Sequence, residues 1–394
     1  MSIRIVHTAD NHVDLKYSKY DFVARERLRK ERLDSLAQVV VVANVEKAHV
    51  LVIAGDLFDK HDPRSVGPNI VKEVVTILSK FSGNLVLVLP GNHDFYEGSD
   101  SELWKQVRQE SEEHDHIVVL DSPKPYEYTI AVQKVQFFPC PCRSQTSEQN
   151  VIGWVKEAVK IPSAVHIGIA HGNVEGRGLD DKDRYFNMTE KELESSGVHT
   201  WLLGHIHKPC PDVDSGSGPR TFFMAGSTTP ESVRRNSEGS AWIIDVGTNG
   251  VEKFKRFQTG KISFRRITRH FIATDRSPAI QSLRKEIENL DAQNCVLDLE
   301  LEGELGDTEL GELERLIQET EATTPGFIRV SNHNNVKRRL SAQQITNKFP
   351  QGTRANDLLT HLLNSTHPED ADAALIEIVN LKGVDNQPRG RGRP

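Results

Sequence analysis

Cysteine is scarce in this 394-residue chain: Cys140, Cys142, Cys210 and Cys295 are the only four, and their spacing is irregular. So few thiols exclude a disulfide framework of the secreted kind, and Cys140-Pro-Cys142 is too close for an ordinary zinc pair. Reduced thiols in a cytoplasmic setting are expected. Long apolar runs are also missing, since none nears the roughly 18–20 residues needed to cross a bilayer. The opening MSIRIVHTAD has no basic segment leading into an apolar one and no small-residue cleavage site, so no signal peptide is expected. Positive charge is not in excess: 49 basic residues face 56 acidic ones, for a net charge of -7. That balance does not exclude a polyanionic partner, because bound divalent cations can supply a local positive field on an acidic protein.

What is present is an ordinary globular composition, 37% apolar and 27% charged, in a chain long enough for two domains. Short apolar runs recur at 3–6, 49–54, 85–89, 165–170, 200–203, 221–225 and 241–246. They are β-branched and nearly continuous, as strands buried on both faces are. Helix-like stretches at 24–48 and 66–81 lie between the early ones, which predicts an α/β domain over residues 1–268. Beyond it the texture changes. Helix candidates at 278–290 and 310–322 alternate with strand candidates at 295–303 and 326–332, predicting a small α+β module over 269–335. Residues 336–382 read as a helical segment with Leu358, Leu359, Leu362 and Leu363 clustered. The end, 383–394, is a Pro/Gly/Arg-rich basic tail expected to be disordered.

Five of these runs end in nitrogen or oxygen donors. The first leads to Asp10 and His12, the second to Gly55-Asp56, the third to Gly91-Asn92-His93-Asp94. The fourth leads to His171-Gly172 and the fifth to Gly204-His205-Ile206-His207. In α/β sheets the functional crevice lies beyond the carboxyl ends of strands, so these groups are expected to converge. Histidine mixed with Asp and Asn suits first-row divalent metals. Seven donors are too many for one ion but suit two, about 3.5–4 Å apart with a bridging carboxylate. Asp56 is the bridging candidate; Asp10, His12 and His207 would complete one ion, and Asn92, His171 and His205 the other. His7, inside the first run, reads as structural. Any single ending is matched by a capping or turn residue, but five in order are not.

This pattern resembles the calcineurin-like metallophosphoesterases, with all five motifs present. HTADNH (7–12), AGDLFD (54–59), LLGHIHKP (202–209) and AGSTTPES (225–232) are similar to the SbcD-type DNA-repair exonucleases, bacterial relatives of the Mre-eleven nuclease. The resemblance implies a β-sandwich flanked by helices, a small α+β capping domain and C-terminal helices. It implies two metal ions, manganese foremost, held by Asp10, His12, Asp56, Asn92, His171, His205 and His207. His93 would act on the phosphate or the leaving oxygen with Asp94 behind it. Where some relatives carry a second histidine three residues after the bridging aspartate, this chain has Asp59.

The activity so implied is a 3′-to-5′ DNA exonuclease with single-strand endonuclease activity, in complex with an SbcC-like coiled-coil ABC ATPase. The leucine cluster is a docking candidate for that ATPase, and the stretch 66–81 a homodimer candidate. Basic residues able to hold DNA include Arg177, Lys182, Arg184, Arg234, Arg235, Lys253, Lys255, Arg256, Arg265 and Arg266. The alternatives are a phosphoesterase acting on a small nucleotide, and a binding protein whose docking surface matters more than its metals.

Overall fold

A computed structural model describes residues 2–176, 185–231, 238–272, 277–322, 329–338, 351–353, 356–357 and 361. The chain divides into two compact units. The first runs from Met1 to Arg266 and takes in Ala292–Leu297; the second begins at Ile267 and resumes at Asp298.

The first unit is built on two sheets. Its strands are β1 (Ile3–Thr8), β2 (Val50–Ala54), β3 (Leu85–Leu89), β4 (Ile117–Val119), β5 (Tyr126–Ile130), β6 (Gln133–Cys140), β7 (Val165–His171), β8 (Thr200–Gly204), β9 (Ser215–Ser217), β10 (Phe222–Met224), β11 (Gly239–Gly247) and β12 (Gly250–Thr259). One sheet has the order β4-β3-β2-β1-β11-β12-β9 and the other β10-β8-β7-β6-β5. Strands β1 to β4 pair in parallel, while β11 closes onto β1 antiparallel, with Ile5 opposite Ile244. All seven apolar runs of the sequence are strands, but their donor-bearing ends are divided between two sheets rather than ranged along one.

Period-two alternation explains how continuous apolar runs serve two layers each. Ile3, Ile5, Val50, Val52, Leu85 and Leu87 face Val135, Phe137, Val165, Ile167, Leu202 and Phe223 of the other sheet in one core. The alternate residues Val6, Leu51, Ile53, Val86 and Val88 pack under α1 (Phe22–Val45), the short α2 (Pro63–Val66), α3 (Pro68–Leu78) and α4 (Glu102–Glu110). On the outer face of the second sheet, Phe138, Cys140, Trp201 and Leu203 cover Val155 and Leu193, from α5 (Gly153–Glu157) and α6 (Glu190–Ser195). The result is a helix–sheet–sheet–helix sandwich. Helix α1 is capped by Asp21, whose side chain accepts from the Ala24 amide at 3.0 Å. The apolar face of the 66–81 stretch is turned inward: Val71, Val74, Val75 and Leu78 belong to the core beneath α3, so it is not free to meet a second copy. Cys140, Cys142 and Cys295 are buried and in no disulfide, and burial pushes the Cys140 thiol up to about 12.

The second unit carries most of the sheet β13-β14-β15 (Ser263–Phe271, Cys295–Leu305, Arg329–Arg338) and the helices α7 (Ser277–Glu288) and α8 (Asp307–Ala322). Ile280, Leu283, Leu313, Leu316 and Ile317 are buried, and Arg284 donates to Glu319 at 2.7 Å between the two helices. Leu358, Leu359, Leu362 and Leu363, the tail, and Arg177, Lys182, Arg184, Arg234 and Arg235 lie outside the described residues. No helix among the described residues is long and apolar enough to cross a membrane.

Candidate metal centre

The carboxyl ends of β1, β2 and β3 in one sheet meet those of β7 and β8 in the other, and all seven donors named from the sequence come together there. The loops after β1 and β2 are laced by main chain. The Asp10 amide donates to the Gly55 carbonyl at 3.1 Å, His12 to Asp56 at 3.0 Å and Val13 to Leu57 at 3.1 Å. This lacing holds Asp10, His12 and Asp56 at φ of 52, 43 and 54°, and His205 stands at 96°. Non-glycine residues rarely occupy this left-handed region, at a cost of order 1–3 kcal/mol each, and such strain clusters at functional sites.

Glycine makes the close packing possible. A Cβ at Gly55 would collide with the His171 ring, one at Gly91 with the Asp56 carboxylate, and one at Gly204 with the Ala54 carbonyl. In this space His171 Nδ1 stands 2.8 Å from the Ala54 carbonyl, which fixes the ring and turns Nε2 into the site. That Nε2 is 3.2 Å from Asp56 Oδ2 and 3.0 Å from Asn92 Oδ1, and His205 Nδ1 is 3.1 Å from the same amide oxygen. Across the site, His207 Nε2 lies 3.5 Å from Asp10 Oδ1 and His12 Nε2 lies 3.6 Å from Asp56 Oδ2. Ligands at 2.0–2.2 Å from one ion and at right angles are roughly 3 Å apart, so these are spacings that a shared ion produces.

His93 stands apart. Its amide donates to Asp56 Oδ1 at 2.8 Å, and its Nδ1 lies 3.2 Å from the Asp59 carbonyl and 3.5 Å from the Asp59 carboxylate. Its side chain is 34% exposed, whereas Asp10, Asp56 and His171 are closed off from solvent. Asp94 accepts from the Gly91 and Phe58 amides at 2.7 and 3.0 Å, so it braces the loops rather than the ring of His93.

The electrostatics follow from burying many charges together. Burial pulls His171 down, but the charge and bond of Asp56 outweigh it and carry the imidazole up to about 9. His93 behaves alike: burial lowers it, yet Asp59 and Asp56 prevail and bring it to about 9. Burial and the neighbouring His171 push His205 down to about 4. Burial, then the Asp56 charge, lifts the Asp94 carboxyl to about 7. Burial raises Asp56, yet His171 and His12 hold it well below the usual carboxylate range.

The residues fit a divalent metal by a test independent of these charges. Neither ring nitrogen of buried His12 has a hydrogen-bond partner among the described residues, although carboxylate oxygens of Asp59, Asp56 and Glu231 stand 3.4, 3.6 and 3.8 Å away. Buried polar atoms are almost always satisfied, so such a pair of orphans indicates a partner other than protein. Three trios have ligand atoms close enough to hold an ion: Asp10, His12 and His207; Asp10, Asp56 and His171; and His12, Asp59 and His93.

Sequence reasoning missed two residues. Glu231 lies inside the GSTTPES segment and reaches toward His12 and His207, while Arg32 of α1 is fully buried and donates to Glu231 at 3.2 Å. The sequence signal for Glu231 was its place in a motif already singled out. Arg32 had none, being one basic residue among many in RERLRKERLD.

Residues 3–209 match the family described as calcineurin-like phosphoesterase. Among curated proteins, the uncharacterized metallophosphoesterase YhaO of Bacillus subtilis is 24% identical over 63% of this chain and 58% of its own length. The SbcD component of the nuclease SbcCD of Staphylococcus epidermidis is 24% identical over 52% of this chain and 57% of its own. The DNA double-strand break repair protein Mre11 of Saccharolobus solfataricus is 25% identical over 52% of this chain and 49% of its own. The chain thus spans about half the length of the curated relatives it matches. Among solved structures, a 5′-nucleotidase of Candida albicans gives a TM-score of 0.40 at 14% identity, covering 66% of this chain and 52% of that one.

Proposed function

Because the chain belongs to the calcineurin-like phosphoesterase family, and is therefore a metal-dependent phosphoester hydrolase, we propose that its substrate is DNA and that it is the nuclease partner of an SbcC-like ATPase. Asp10, His12 and His207 would hold one divalent ion and Asn92, His171 and His205 a second, with Asp56 available to both. Such ions, manganese in this reading, neutralise phosphoryl oxygens and lower the pKa of a water. The remaining work falls to the chain itself. His93, with Nδ1 turned to Asp59, has Nε2 available to a substrate oxygen. In its protonated form this imidazole can deliver a proton to the departing sugar oxygen. Asp59 takes the place of a second histidine and orients this ring.

The observation that carries the choice of substrate is a groove of about 710 Å³ that begins at His207. Lys208, Arg256, Phe257 and Arg265 line it. A single phosphate fills only the metal site, and cations extending from it suit a chain of phosphates. Two residues after His93 in sequence, the ring of Phe95 stacks on that of His61 at 4.3 Å, a face on which an unpaired base can lie. One feature favours the second reading, a phosphodiesterase for small nucleotides. Arg256 pairs with Asp214, Arg265 with Glu238 at 2.9 Å, and Lys208 with Asp212 at 3.9 Å, which leaves the groove electrically balanced.

The test compares linear DNA, bis-p-nitrophenyl phosphate and a cyclic nucleotide in manganese buffer, per active site. The DNA reading expects kcat/KM on DNA to exceed both others by orders of magnitude and to fall steeply with salt. Equal or greater turnover of the small substrates overturns it. A 3′-to-5′ polarity, single-strand endonuclease activity, a homodimer and a cytoplasmic setting belong to the same proposal.

A further inference from the structure

We propose that Glu231 is a positioning residue for His207, and that buried Arg32 locks it in that task; this rests on the ligand set assigned above. Three of the Arg32 donors are engaged. Nε donates to the Tyr17 hydroxyl at 2.8 Å, Nη1 to the Asn11 carbonyl at 2.7 Å and Nη2 to Glu231 Oε1 at 3.2 Å, with the guanidinium 5.3 Å from the centre of the Tyr17 ring. A fully buried guanidinium needs a carboxylate, so charge compensation alone accounts for a Glu–Arg contact. It does not account for the other oxygen. Glu231 Oε2 lies 3.5 Å from His207 Nδ1, on the side of the ring away from Nε2, which is 3.5 Å from Asp10. An imidazole with one nitrogen in a ligand cluster and the other at a carboxylate has the arrangement that fixes tautomer and ring angle for metal binding.

The same brace reaches the loop that carries Asp10 and His12. Asn11, between them in sequence, gives its carbonyl to Arg32 and its amide nitrogen to Thr228 Oγ1 at 3.1 Å. Ser227 Oγ donates to the Asp10 carbonyl at 2.9 Å. Segment 227–231 and Arg32 therefore hold Asp10, His12 and His207 in register, and Glu231 is the member whose charge faces the histidines.

The experiment uses the full chain, stripped of metal, and titrates manganese into wild type, Glu231→Gln and Arg32→Lys by calorimetry, with melting of each apo protein recorded alongside. Glu231→Gln preserves the size and an acceptor for Arg32 while removing the charge. The expected result is two ions bound by wild type and one of them weakened about 10- to 100-fold in Glu231→Gln, the other unchanged, with apo melting near wild type. Arg32→Lys, which loses the fork, is expected to weaken the same ion. Glu231→Gln binding both ions as wild type does overturns this inference alone. A loss of affinity that merely tracks a lower apo melting temperature also overturns it, since that is a structural role. A wild type that binds no manganese removes the ligand set itself, and this inference with it.

Discussion

The imidazole of His171 and those of His12 and His207 lie in one site but are gripped by different means. His171 is set by main chain: the Ala54 carbonyl meets its Nδ1, and its ring fills space left by glycines. At the same ring nitrogen His12 and His207, 5.4 Å apart ring to ring, face carboxylates instead, Asp59 at 3.4 Å and Glu231 at 3.5 Å. A main-chain grip is rigid and written into a few adjacent residues. A carboxylate grip adds charge to the ligand but draws on residues far away in sequence.

That contrast is broken most severely at the residue belonging to neither side. His93→Ala is expected to lower kcat about 10²- to 10⁴-fold with metal content, measured by elemental analysis, close to wild type; retention of wild-type turnover would remove His93 from the chemistry. Next comes the main-chain side. Gly55→Ala places a Cβ against His171 at a φ of 93°, and an ångström of displacement costs on the order of 100-fold in rate. A loss of that size, with metal content reduced, is expected; full activity would show that the glycine is not what seats the ring.

The smallest effect lies behind the site at His7, whose Nε2 is 3.1 Å from the Leu203 carbonyl. Burial pushes its pKa from 6.5 down to about 4. Between those values the unfolded chain binds a proton that the folded one refuses, so the stability contributed is present above pH 6.5 and lost as pH falls toward 4. Wild type should therefore lose about 3 kcal/mol more than His7→Gln between pH 7 and pH 4, read from unfolding curves at each pH. Parallel curves would mean that His7 titrates normally.

Much of the fold was legible because strands buried on both faces are continuous apolar runs, and the site because each run ends in its donors. The hairpin of β5 and β6 was not legible: YEYTI alternates polar and apolar residues, and Pro139 interrupts the run after it. Strand β12 was hidden for a similar reason. Lys253, Lys255 and Arg256 read as a basic cluster, but Lys253 and Lys255 stand exposed on either side of buried Phe254 along an extended strand. Nor do the runs themselves say which strands share a sheet; the sandwich came from the family resemblance, and the convergence spans both of its sheets. Arg32 and Glu231 are the clearest misses, because their meaning is a contact between residues 199 positions apart.

Strand β1 takes its two partners from β2 and from β11, at residues 50–53 and 242–246. During translation, then, Asp10 leaves the ribosome well before His205, His207 and Glu231, and the sheet that presents it is incomplete until β11 has emerged. A half-made chain has no assembled hydrolytic centre. The metal site is therefore completed only after the segment between β1 and β11 has been made.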